Sequence, residues 1–235
     1  MDPGRLIKLV RYILSRRPDE FGLCPEEEGW VKVRDLHLAV AETEGFRGVR
    51  RRELETLLEV FGRDEFEYLR EEGRVRAREI HFAPPVYVEE VPRRLYLPVK
   101  PRVWIRVAEE GLRAARPALM APERDLAERL ARRRGALLVE VDTTLAREDG
   151  AVFLRFIEKL YLSAWLPARA LRGPRVDEKF RARYLPSPRR EPEPEPIIPF
   201  RVESEEDQPY RKITRGKKKK LPWKEGRKRK KNKDW

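Results

Sequence analysis

FEYLREEGRVRAREI, residues 66–80, contains two short extended runs flanking Glu72-Gly73. Side chains alternate with a period of two on either side of that dipeptide, which predicts a β-hairpin. The alternation puts Arg74, Arg76 and Arg78 on one face of the second strand. Upstream, Leu6, Ile7, Val10, Ile13 and Leu14 recur at helical spacing until Pro18 stops them. GWVKV (29–33) starts a second helical unit, and Leu54, Leu57, Leu58 and Phe61 mark a third helix. Helices followed by a hairpin predict a winged-helix unit over residues 1–88, a shape often used on nucleic acid.

Downstream, APPVYVEEVP (83–92) reads as a linker. LYLPV (95–99) and ALLVEVD (136–142) read as buried strands, with helices between them around Trp104–Leu112 and Glu123–Arg134. FLRFIEKLYLSAWL (153–166) predicts two more short strands, completing an α+β lobe over 92–173. Residues 174–210 are proline-rich, with EPEPEP at 191–196, and are expected to be extended and unable to build a core. Residues 211–235 form a basic tail.

The charge is segregated. The chain carries +13, and fourteen Lys or Arg against Glu225 and Asp234 place +12 of it in residues 211–235. That asymmetry is expected of an arm that binds nucleic acid. The arm's cations from Arg215 onward are Lys217, Lys218, Lys219, Lys220, Lys224, Arg227, Lys228, Arg229, Lys230, Lys231 and Lys233. Trp223 and Trp235 lie among them and suit stacking on bases. Cys24 is the only cysteine and His37 and His81 the only histidines, so neither a disulfide framework nor a metal site is expected. No apolar run is long enough for a membrane span or signal peptide, which predicts a soluble, cytoplasmic protein with no membrane partner. Gln208 and Asn232 are the sole amides among many ionic residues, a composition that fits a thermophile.

LVRYILSRRPDEFGLCPEEEGWVKVRDL (9–36) and VEVDTTLAREDGAVFLRFIEKLYLSAWLP (139–167) resemble the opening and closing parts of the RNA 2'-phosphotransferases. Those enzymes use NAD to remove the splice-junction 2'-phosphate from tRNA. The resemblance runs from about residue 5 to 172 and implies a winged-helix lobe followed by an ADP-ribosyltransferase-like lobe, with an extended basic C-terminal tail beyond. Carried over by position, the family's essential phosphate-side residues fall on Ser15, Arg16, Arg76 and Arg116. His81 keeps a wing histidine, and Arg155 matches an arginine before the closing strand. Arginine suits phosphate because its planar fork donates two parallel charged hydrogen bonds.

The cofactor side departs from the family. The stretch that is LYHGT in the family reads Leu95, Tyr96, Leu97, Pro98, Val99 here, and HVHL reads Ala118, Leu119, Met120, Ala121. Leu97 has no hydrogen-bonding group and Pro98 no N–H. The wing Asn and Gly are replaced by Arg78 and Ile80. Losses at Leu97, Pro98, Leu119 and Ala121 imply no cofactor, and Ser15, Arg16, Arg76 and Arg116 are the positions of a degenerate catalytic set. The expected function is a noncatalytic protein, a pseudoenzyme, that binds structured RNA through Arg16, Arg17, Arg74, Arg76, Arg78, Arg116, Arg155 and the tail. Body plus basic extension suggests rRNA in a ribosomal subunit of an archaeal-type thermophile, with tRNA as another partner. The alternative is an active NAD-dependent RNA 2'-phosphotransferase with a remodelled pocket. Arg16 and Arg17 end a helix, where cations are also favoured without a ligand. His81 reads as structural, and Trp30 and Trp104 as core.

Overall fold

A computed structural model describes residues 2–185; the predicted strap beyond 185 and the basic tail lie outside the described residues. The chain begins with α1, Pro3–Arg11, which Asp2 starts by accepting from the Gly4 N–H at 2.9 Å, with Pro3 in the first helical position. Leu6, Val10, Ile13 and Leu14 form its buried stripe. The helix widens into a π-turn over Tyr12–Arg16 and ends before Pro18. After two short 3₁₀ turns come β1, Val31–Lys32, and α2, Val33–Ala41. α3, Arg51–Thr56, is opened by Glu53, whose carboxylate accepts from the Arg50 N–H, and also runs on into a π-turn.

The expected hairpin is present as β2, Phe66–Leu69, and β3, Arg74–Ala77, in the register Phe66↔Ala77 and Leu69↔Arg74. Val75 and Ala77 turn inward while Arg74 and Arg76 turn out. With β1 beside β3, this sheet packs on the three helices around one apolar cluster drawn from residues 6–77.

The second half holds two antiparallel sheets. β5, Arg94–Val99, β7, Leu137–Asp142, and β10, Leu171–Arg172, pair in the order β10-β7-β5. β4, Val86–Tyr87, β6, Leu112–Met120, β8, Leu154–Phe156, and β9, Leu160–Leu166, pair in the order β4-β8-β9-β6. A bridge between Tyr96 and Ala121 joins the two sheets. α4, Pro101–Glu110, and α5, Arg124–Arg134, bury Trp104, Val107, Leu126 and Leu130 against them. α6, Thr143–Glu148, is capped by Asp142. The fold is α+β, as expected, and every sheet is antiparallel among the described residues.

Four boundaries differ from the sequence reading. Val86–Tyr87, placed within the first lobe and its linker, pair instead with β8. Leu112 begins a strand, β6, that the polar run Arg113–Arg116 concealed; its pairing with β9 shifts between Arg113 and Ala118. The helix before it stops at Glu110 because Gly111 turns the chain at φ +80°. Residues expected to be extended after 174 include α7, Glu178–Tyr184, which Asp177 caps through the Phe180 N–H. Val176 and Phe180 pack on the second core, and the Trp104 indole donates to Pro174 O at 2.9 Å.

Candidate nucleic-acid interface

The two halves are locked by buried polar contacts. Asp19 is fully buried and accepts the backbone N–H groups of Glu158 and Lys159 at 3.2 and 3.1 Å, as well as Arg17. Arg133, from α5, forks onto Glu42 at 3.0 and 2.6 Å and donates to Phe21 O at 2.6 Å. Phe82 meets Phe156 edge-on at 5.5 Å.

Between the halves lies a cleft of about 1090 Å³. One wall is the turn Gly22–Lys32 with Arg74; the other is formed by Leu97, Pro98 and Arg116–Leu119. The turn carries Glu26, Glu27 and Glu28, with Glu28 held in a left-handed conformation at φ +58°. For a side chain that conformation costs on the order of 1 kcal/mol, and it aims the carboxylate at the hairpin. Glu28 accepts from Arg76 Nη1 at 2.9 Å, and Glu67 accepts from Arg76 Nε at 2.9 Å. The Arg76 guanidinium also covers the Trp30 ring, 4.6 Å from its centroid. Trp30 is therefore half-buried beneath a cation instead of deep in the core, whereas Trp104 is core. Glu26 holds both Arg116, at 3.0 Å, and Arg74, at 3.4 Å. The hydrogen bond to Glu67 holds the Arg76 proton above its ordinary range.

The structure thus gathers Arg74, Arg76 and Arg116 around one acidic turn. The remaining expected residues lie elsewhere. Ser15 is buried, its hydroxyl donating to Glu79 O at 2.7 Å while its carbonyl accepts the His81 N–H. Arg16 is exposed; Arg17 pairs with Asp19 and Glu158. Arg78 follows the end of β3 and donates to Arg63 O instead of joining the face of Arg74 and Arg76. Arg155 lines a separate depression with Glu89, Glu90 and Arg147. His81 is exposed. Sequence reasoning missed Glu26, Glu28 and Glu67; the triplet Glu26–Glu28 was a visible signal, but its partners are distant in sequence.

NAD is the cofactor that the resemblance implies, and the family's grip would fall on the wall of β5 and β6, where Leu97, Pro98, Ala118 and Leu119 are apolar. Leu97 is 2 % exposed and Leu119 7 %, and Ala121 is buried with its backbone engaged to Tyr96. Ala118, Leu119 and Pro98 present no side-chain donor or acceptor, and among the described residues no buried side-chain nitrogen or oxygen awaits a partner. Among those residues no group of three or more His, Cys, Asp or Glu is placed to hold a metal, and no helix is long and apolar enough to cross a membrane.

These features define a class: a basic α+β protein with a mixed-charge cleft between two halves. A probable RNA 2'-phosphotransferase of Streptomyces coelicolor is 31 % identical over 183 residues, covering 74 % of this chain and 98 % of its own length. One from Streptomyces griseus is 31 % identical over 192 residues, covering 73 % and 98 %. One from Acetivibrio thermocellus is 26 % identical over 179 residues, covering 73 % and 97 %. The chain belongs to the RNA 2'-phosphotransferase family. A scan against models of protein families matches none.

Proposed function

We propose that the protein works on RNA, and that it does so by binding without NAD-dependent turnover. Family membership supports an RNA partner. On this reading the halves are a winged-helix lobe and an ADP-ribosyltransferase-like lobe, and the anion side of the cleft is kept while the dinucleotide side is given up. The observation that carries it is the make-up of the cleft: Arg74 and Arg116 converge on Glu26 with Arg76 held nearby by Glu28, whereas Leu97, Pro98 and Leu119 offer no hydrogen-bonding side chain. Each missing buried hydrogen bond weakens a ligand by about 1–3 kcal/mol.

The relatives' printed name favours a second reading, an active RNA 2'-phosphotransferase; NAD as its cofactor and tRNA as its substrate are what the resemblance adds. In that case NAD is held by groups other than those of the β5–β6 wall. One experiment separates the two. The protein is incubated with NAD and a 2'-phosphorylated RNA oligonucleotide, and both binding and products are followed. RNA bound with no ADP-ribose cyclic phosphate is the expected result; release of that product establishes the enzyme. A ribosomal destination rests on the basic tail, outside the described residues. It predicts cosedimentation with a ribosomal subunit that is lost when residues 211–235 are deleted.

A further inference from the structure

The outer face of α1 has no role in the cleft, yet its chemistry is one-sided. Between Pro3 and Arg17 the chain carries Arg5, Lys8, Arg11, Arg16 and Arg17 and no acidic residue. Arg11 is spent on Glu65, and Arg17 on Asp19 and Glu158. Arg5, Lys8 and Arg16 are exposed, and none forms an ion pair among the described residues. At 3.6 residues per turn, Arg5, Lys8 and Tyr12 fall within about 60° of arc, opposite the buried stripe of Leu6, Val10 and Ile13. Arg16 continues the row one turn further, through the π-turn.

Two features count against a merely solvated face. Arg5 stands in the first turn, where the helix dipole disfavours a cation. The N-cap carboxylate of Asp2 is engaged with the Gly4 N–H and forms no ion pair with Arg5 among the described residues. The row also ends at a defined place. Ser15 O takes the His81 N–H, Arg17 reaches Glu158 in the other half, and the chain then enters the cleft wall at Gly22 and Leu23. Tyr12, 39 % exposed, lies in the row, its hydroxyl held by Glu20 and its ring set edge-on to Phe21. That fixes an aromatic surface between cations, the pairing used to hold single-stranded nucleic acid.

Building on the RNA reading above, we propose that Arg5, Lys8, Tyr12 and Arg16 form a track for single-stranded RNA leading to the cleft. From Arg5 to Arg16 the helix rises about 16 Å, room for roughly three to five phosphates of a stacked strand. The track would hold the strand flanking whatever nucleotide the cleft engages, and it would be indifferent to base identity.

The test uses the full-length protein and fluorescence anisotropy with a labelled single-stranded RNA decamer and a dinucleotide, across a range of salt. The Arg5→Gln/Lys8→Gln variant is expected to bind the decamer about tenfold more weakly. Its salt slope should fall by about 1.4, since each single-strand phosphate contact contributes about 0.7. Dinucleotide binding and the melting temperature should be unchanged, and Arg5→Lys/Lys8→Arg should behave as wild type. An equal loss in Arg102→Gln/Arg106→Gln, which removes the same charge from α4, would overturn the proposal. So would unchanged decamer binding, including the case where binding to polyglutamate is lost instead and the row belongs to an acidic protein partner. If the wild-type protein binds neither RNA, the RNA reading itself fails, and the track with it.

Discussion

Arg116 Nη1 donates to Glu26 Oε1 at 3.0 Å, a contact between residues ninety positions apart in the chain. The other oxygen of the same carboxylate lies 3.4 Å from Arg74 Nη1. One glutamate thus sits between two arginines much as a phosphate would. Both arginines are partly or largely exposed, so the pairs add little stability, about 0–1 kcal/mol each. Their consequence is for binding: an incoming phosphate must displace Glu26.

Glu26→Gln is therefore expected to tighten RNA binding about fivefold, equivalent to about 1 kcal/mol. The salt dependence should steepen by about 1.4 units, roughly 0.7 for each of Arg74 and Arg116 as they become available. Anisotropy titrations at several salt concentrations measure this, with thermal melting as the control for fold. An unchanged affinity would place the RNA away from these two arginines.

Asp19 is fully buried and serves both halves, accepting Arg17 on one side and two backbone N–H groups of the 158–159 turn on the other. Asp19→Ala leaves the two backbone donors without an acceptor and Arg17 with only Glu158 and Glu20, so a loss of about 2–5 kcal/mol is expected in urea unfolding. Asp19→Asn, which keeps an acceptor for the backbone groups, should cost less. If the two variants were equal, the charge would carry the whole effect.

The hairpin and first helix were legible because their signals are local: Val75 and Ala77 alternate with Arg74 and Arg76, and Leu6, Val10 and Ile13 repeat at helical spacing. β6 was not, because Arg113–Arg116 shows no apolar alternation and gains its place only by pairing with β9. α7 was hidden in a proline-rich context, although Asp177 supplied a capping signal. At the cleft, the arginines could be picked out, but not the carboxylates that occupy them. Glu26, Glu28 and Glu67 meet Arg116 and Arg76 only after the chain has folded.

Gly111 separates two causes of glycine dependence. Its φ of +80° disfavours any side chain, and a Cβ there would stand 2.5 Å from Leu166 O and 2.9 Å from Ala168 N. Both obstacles are backbone and cannot rotate away. Gly111→Ala should lose about 2–4 kcal/mol, through strain and the displaced β6–β9 edge together. Gly150 has φ +91° with nothing within 4 Å of a Cβ, so Gly150→Ala should lose only about 1 kcal/mol. Denaturant titration of both variants gives the difference.

Cys24 lines the cleft half-buried, and burial pushes its thiol up from 9.0 to about 11, with Arg134 pulling weakly the other way. The sign follows from which state releases its proton first. As pH rises past about 9 the unfolded chain ionises Cys24 while the folded chain keeps the proton, so the unfolded state gains. The stability associated with this group is fully present below pH 9 and is lost progressively up to about 11, a total of roughly 2–3 kcal/mol. Other groups titrate in that range, so the measurement is the difference between wild type and Cys24→Ser in urea unfolding at pH 8, 9, 10 and 11. The gap between them should narrow steadily above pH 9. Below that pH the folded protein should react with a thiol reagent far more slowly than the unfolded chain, because it holds almost no thiolate. A gap that stayed constant with pH, or fast labelling of the folded protein at pH 8, would mean that the cleft leaves Cys24 solvated.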